Sequence, residues 1–260
     1  MIPPILRQPS QYMPRVAVFF KIDEVLGDSD RYNAWIYHNL QDDIVGDILD
    51  IGSGTGNVAK HYFDHPGVKR VVLSDYSDQM VAYLQKKFTT FSNFTALKLD
   101  ISDDGSSSKS ILNESLNTVI CMNVLEHVED DDRAVARMVG FLKDGGKLIL
   151  LVPAFNLLYG TIDEGIGHYR RYDRSSLTAI VNKNHLSVEK VFFMNFLGFF
   201  LWFMIARVFR QKALNRTECR WFELLVPFLE GTEKICRPPF GQSLIMVCSK
   251  GTDTDSLREK

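Results

Sequence analysis

From residue 47 onward the chain repeats one pattern: a short apolar run, a break rich in glycine or polar residues, then apolar positions at helical spacing. The runs Asp47–Ile51, Arg70–Leu73, Phe94–Leu99, Thr118–Met122, Lys147–Val152, Ser187–Met194 and Leu244–Cys248 predict strands. Gly56–His65, Ser77–Phe88, Asp131–Phe141, Ser175–Asn184 and Phe199–Arg210 predict helices. Runs rich in Val, Ile and Leu with little alternation suit a parallel sheet covered by helices on both faces, the α/β class. Upstream, Asp30–Leu40 predicts a helix capped by Asp28, Ser29 or Asp30, preceded by the amphipathic piece Val16–Leu26. Asp103–Ser110 reads as a surface loop. The expected organisation is an N-terminal helical cap over 1–45, one domain over 46–250 with a helical insertion at 197–240 that contributes to the acceptor site, and a disordered tail at 251–260.

One segment departs from the pattern. Val191–Ala206 carries no charge, holds seven aromatic residues from Phe192 to Phe203 and then Met204, and is bounded by Lys190 and Arg207. A spanning helix needs roughly 20 apolar residues, and Asn195 and Gly198 interrupt this run, so it predicts a strand ending near Phe196 and then a very apolar helix. Such a helix either lies in the core or faces lipid, and residues 191–209 are the candidate peripheral membrane contact.

Composition narrows the classes. With 260 residues the chain suits one α/β domain with an insertion. A net charge of −2 without a long basic run argues against nucleic-acid binding. The four cysteines are scattered with no C-x-x-C, as reduced thiols in a cytoplasmic protein are. Met1 to Gln11 lacks the apolar core of a signal peptide, so a cytoplasmic location is expected.

The chemistry begins at Asp47–Asn57, where the first run ends in an acid and three alternating glycines follow. Glycines let backbone approach a ligand closely, and a helix starting there offers N–H groups to polar ligand atoms. A dinucleotide fingerprint, G-x-G-x-x-G, requires its third glycine at Asn57. The G-x-G-x-G found here behind Asp50 instead resembles motif I of class I S-adenosylmethionine (SAM)-dependent methyltransferases. SAM needs polar backbone at its methionine end, a carboxylate at its ribose and an apolar slot with a polar rim for its adenine. Asp50, Gly52, Ser53, Gly54 and Gly56 supply the first. Asp75, closing the second strand before Tyr76, can accept from both ribose hydroxyls, and Asp100, before Ile101, can accept from the adenine amino group. The fourth strand runs into Asn123-Val124-Leu125-Glu126-His127. Open α/β sheets hold ligands beyond such strand ends, so Asn123 is expected at the cofactor. Glu126 and His127 are candidate acid/base or metal groups, or simply orient the next helix.

With Lys143–Gly146 before the fifth strand, these motifs extend the resemblance over almost the whole chain. It is similar to the broad type 11/12 group of class I methyltransferases that includes the ubiquinone-biosynthesis O-methyltransferases. The resemblance implies a Rossmann-like, seven-stranded, mostly parallel sheet with an antiparallel last strand and an apolar helical insertion before it. In the ubiquinone enzymes the acidic stretch after strand four helps to hold a divalent metal. Glu126 and His127 match, but Asn123 replaces the earlier Glu, so no metal is expected. The loop Pro153–Tyr172, the stretch Asn195–Gly198 and the later Leu225-Val226-Pro227 and Pro238–Leu244 are similar to uncharacterised methyltransferases of glycan or lipid-linked sugar pathways.

That loop follows the fifth strand, where an acceptor pocket lies. Tyr159, Arg170, Arg171 and Tyr172 are its substrate-binding candidates, the arginines either clamping an anion or tying the loop to Asp163 and Glu164. His168, exposed by Gly167, and His127 are rival catalytic bases. The expected function is methyl transfer from SAM to a small or lipid-linked acceptor, as O-methylation of a hydrophobic or anionic metabolite such as a quinone precursor, lipid-linked sugar or secondary metabolite. The alternative is a non-catalytic SAM-binding scaffold that docks through its apolar helix. A nicotinamide oxidoreductase is disfavoured by Asn57, and an RNA methyltransferase by the absence of a basic stripe.

Overall fold

The computed structural model describes residues 29–103, 114–211 and 216–251. Val16–Leu26, most of the Asp103–Ser110 loop and the tail beyond residue 251 lie outside the described residues.

Seven strands form one sheet: β1 (Gly46–Ile51), β2 (Val68–Asp75), β3 (Phe94–Lys98), β4 (Leu116–Met122), β5 (Leu142–Pro153), β6 (Leu186–Met194) and β7 (Ser243–Lys250). Their order is β3-β2-β1-β4-β5-β7-β6. All neighbours are parallel except around β7, which runs antiparallel to both β5 and β6. This is the expected Rossmann-like arrangement, with its last strand reversed.

Side chains alternate between two buried layers, which is why the strand runs are almost continuously apolar. Leu49, Val119, Leu148 and Met246 pack towards α3 (Asp131–Phe141) and α5 (Arg174–Lys183) through Val135, Met138, Leu177 and Val181. Ile48, Ile120, Ile149 and Ile245 pack towards α1 (Asp30–Leu40), α2 (Asp78–Lys87) and α7 (Arg216–Ile235) through Trp35, Leu40, Leu84 and Val226. The chain reverses direction of travel between β1 and β4, opening a crevice at the carboxyl ends of the strands.

Two helix expectations change, and α7 lies within the helical insertion expected at 197–240. Gly56–His65 is not an α-helix: only the 3-10 turn Ala59–His61 forms there. The segment lies between Gly56, at a φ of +70°, and Pro66, which disfavours helical backbone before it, leaving too few residues to offset helix nucleation. The helix expected at Phe199 begins at Phe196 instead, as α6 (Phe196–Trp202), and continues as a π-helical stretch, Phe203–Val208. Asn195 allows the early start by adopting a left-handed φ of 66° and accepting from Gly198 N. Finally, the 20-residue α7 is interrupted in sequence by Pro227, which obscures its helical signal.

The acids of α7 hold other helices in place. Ser29 sits at the N-cap position of α1 but makes no side-chain cap. Glu223 does that work, accepting from Arg31 N and Tyr32 N at 3.0 Å each. Glu233 accepts from Asn195 N and Phe196 N at the start of α6, at 3.1 and 2.8 Å. Between them, α4 (Thr161–Ile166) lies in the loop that follows β5. Among the described residues no helix is long and apolar enough to cross a membrane.

Candidate active site

A cavity of about 790 Å³ opens at the carboxyl ends of the strands, within the range that accommodates drug-sized ligands. Nine expected cofactor residues line it: Asp50, Gly52, Ser53, Gly54, Asp75, Tyr76, Asp100, Ile101 and Asn123. Gly56 does not. It faces α2, where a Cβ would stand 2.6 Å from Phe88 Cε2, so its lack of a side chain serves packing.

The glycine loop is shaped by its neighbours. At Gly52, whose φ is +69°, a Cβ would come within 2.3 Å of Val124 Cγ2, so the loop can lie against the end of β4 only as glycine. Asp75 is buried and accepts from Gly54 N at 3.2 Å and Ser77 N at 2.9 Å, which binds the end of β2 to the loop after β1. A carboxylate, with about four lone-pair sites, can accept from several donors at once. Asp50 is also buried, and burial pushes its carboxyl up to about 7, with the negative charge of Asp75 adding to the rise. Asp100 is exposed and its Oδ1 accepts from Ser102 N and Oγ at 2.8 and 2.6 Å, forming a local turn at the cavity rim. Asn123, at a φ of +53°, turns the chain out of β4 while its N–H reaches Leu151 O at 2.8 Å.

Opposite this cradle, β4 and the loop after β5 bring the two candidate bases together. The His127 and His168 rings meet edge-to-face, 4.5 Å between centroids. His168 is not exposed as expected, for its side chain is 7% accessible. Gly167, with a φ of +82°, ends α4 and folds His168 back so that its Nδ1 lies 2.8 Å from Asp163 Oδ1. The Tyr159 hydroxyl donates to His168 O at 2.8 Å. His168 Nε2 is then 3.7 Å from Glu126 Oε1. Glu126 is fully buried, both its oxygens lack hydrogen-bond partners among the described residues, and burial pushes its carboxyl up to about 8.

The other loop candidates have structural partners. Arg171 is 3% exposed and forms a two-point pair with Asp163, Nε to Oδ1 at 2.7 Å and Nη2 to Oδ2 at 3.1 Å, while Nη1 donates to Ala154 O. Although burial opposes it, hydrogen bonding from His168 and the charge of Arg171 hold Asp163 below the usual carboxylate range. Arg170 pairs with Asp131 at 2.8 Å and donates to Glu129 O. The buried Tyr172 hydroxyl donates to Asp131 Oδ2 at 2.9 Å. Of Tyr159, Arg170, Arg171 and Tyr172, only Arg171 lines the cavity. The arginines therefore tie the loop to acids, as one of the two sequence readings has it, with Asp131 in place of Glu164.

Sequence reasoning missed Tyr32, Asn33 and Ile36 of α1, whereas Trp202, Ile205 and Phe222, on α6, its π-helical end and α7, lie in the 197–240 insertion expected to contribute to the site, though that expectation did not name them one by one. The Asn195–Gly198 and Gln242-Ser243 pieces, singled out by resemblance, meet where Asn195 Nδ2 donates to Gln242 Oε1 at 2.7 Å.

Glu126, His127 and His168 each offer a ligand atom within 4.8 Å of the others, a nitrogen-and-oxygen set suited to a borderline divalent cation such as Zn²⁺. Asn123 is not needed for that set, so its replacement of an acid is not by itself a reason against a metal.

Residues 49–148 match the family model described as a methyltransferase domain. No curated protein matches the chain. A SAM-dependent methyltransferase from Archaeoglobus fulgidus is similar in structure at 16% identity and a TM-score of 0.60, over 90% of this chain and 99% of that one. A Haloferax volcanii structure, a complex with the Trm112 methyltransferase activator, is similar at 17% identity and a TM-score of 0.63, over 95% and 100%. The cyclase SpnF shares the fold at 15% identity and a TM-score of 0.56, over 86% and 81%. Residues 49–148 thus match a methyltransferase domain and these neighbours share the fold, while the cyclase is a reminder that a fold alone does not name a reaction.

Proposed function

From the methyltransferase domain at residues 49–148, we propose that this protein transfers a methyl group from SAM to a hydroxyl of a small, hydrophobic or lipid-linked acceptor. The observation that carries this reading is that one cavity joins the glycine-loop cradle to the His168–Glu126 cluster. Asp75 would hold the ribose, Asp100 and Ile101 the adenine edge, and Gly52 to Gly54 the methionine end. When bound, SAM supplies a methyl group already activated on a sulfonium.

The chain's own contribution is alignment and proton removal. Leu201, Trp202, Ile205 and Phe222 form an apolar wall that excludes water and favours a hydrophobic acceptor. His168, with Nδ1 held by Asp163, turns Nε2 towards the cavity and takes the acceptor hydroxyl proton. A carboxyl as readily protonated as Glu126, 3.7 Å away, stabilises the imidazolium by giving up its own proton to solvent or product. Proximity within the cavity supplies much of the rate. If Glu126, His127 and His168 instead hold a divalent cation, His168 would be a ligand in place of the base and the cation would supply Lewis acidity towards the acceptor oxygen.

Calorimetry tests the cofactor assignment: the protein binds SAM, and Asp75→Ala weakens binding roughly 10- to 100-fold by removing a charged acceptor. Absence of SAM binding overturns the reading. For the base, His168→Ala is expected to lower kcat about 10²- to 10⁴-fold with SAM affinity retained, measured with methyl-labelled SAM and lipid or quinone extracts.

A further inference from the structure

The inner faces of α6 and α7 wall the cavity, but their outer faces are unlike the rest of the surface. Trp221, Leu224, Leu225 and Phe228 follow the i, i+3, i+4, i+7 spacing of one helical stripe and are 67, 60, 45 and 71% exposed. Phe200, Met204, Val208 and Phe209 extend the exposed apolar surface along α6 and its π-helical end. An amphipathic helix ordinarily turns its apolar stripe inward and its acids outward. On α7 the acids Glu223, Glu230 and Glu233 face the protein, bonded to α1, His38 and the start of α6, while this apolar stripe faces outward.

Charge identifies what covers the stripe. Arg207, Arg210 and Arg220 stand exposed along this face, in a chain whose net charge is −2. Arg210 and Arg220 are exposed beside Phe209 and Trp221. Aromatic tips flanked by arginines suit the boundary between headgroups and acyl chains, where the rings insert and the guanidinium groups reach phosphates. A second copy of the chain is a poorer occupant, because a two-fold interface would bring the same cations against each other.

We propose that the α6–α7 face docks in the plane of an anionic lipid bilayer. The cavity wall built by Leu201, Trp202 and Phe222 then adjoins the bilayer, and the acceptor enters from it. Docking stands on the face alone, whereas acceptor entry rests on the proposed methyl transfer.

Flotation of the full chain with vesicles tests this, using phosphatidylcholine alone and phosphatidylcholine with roughly one-third phosphatidylglycerol. The protein is expected to float with the anionic vesicles and to lose the association at high salt. Arg210→Gln with Arg220→Gln is expected to lower partitioning roughly 10- to 30-fold, and Trp221→Ala with Phe228→Ala to lower it comparably. SAM affinity of each variant, by calorimetry, reports that the fold is intact. Failure of the protein to float, variants that float like the parent, or a dimer that these substitutions dissociate would each overturn the docking. Flotation without SAM binding supports docking and instead overturns the methyl-transfer reading.

Discussion

Asp163 does not line the cavity, yet it organises the side of it that holds His168 and Arg171. Its carboxylate accepts from His168, from Arg171 at two points and from Gly160 N. Breaking such a buried pair leaves an uncompensated charge, so Asp163→Asn is expected to cost about 3–5 kcal/mol in denaturant unfolding. The same substitution frees the His168 ring, so kcat should fall in any refolded fraction. Sequence offered Asp163 as one of two acids the arginines could bind without choosing it, since a pair spanning 8 residues is chosen by how the loop is buried. Asp50 makes a different prediction. Its carboxyl rises from an ordinary 3.8 to about 7, so between those values the native state holds a proton that the unfolded chain has released. This contribution therefore lowers stability as pH rises from about 4 to 7, and Asp50→Asn should flatten the slope in that window.

At the scale of elements, the turns at strand ends were legible and the helix partners were not. The glycine loop, the acids closing β1 and β2, and the strands themselves depend on short-range features: apolar runs, positive-φ glycines and side chains that bond within a few residues. Gly52→Ala is expected to displace the loop, because the added Cβ would meet Val124 at 2.3 Å, and to abolish SAM binding. By contrast the N-terminus of α1 is capped by Glu223, 192 residues away, and no local motif announces it. Glu223→Ala should cost about 0.5–2 kcal/mol of stability, with Ser29 unable to compensate. The failed helix at Gly56–His65 shows local preference in the other direction, since flanking glycine and proline left it too short to propagate.

For the whole molecule, the cavity is the meeting place of elements remote in sequence, from Tyr32 on α1 to Ser243 on β7. The sheet creates it because its parallel strands direct their carboxyl ends to one edge, and the order reverses at β1 and β4. Sequence alone determined the sheet, the glycine loop and the acids around it, for these follow from hydrophobic runs and turn chemistry along neighbouring residues. Only tertiary structure decided that Arg171 is bound to Asp163, that His168 meets Glu126 from 42 residues away, and that α7 turns its acids inward and its aromatics outward. Those choices follow from which charges can be buried only when paired and which helix faces find a partner, and both depend on the completed fold.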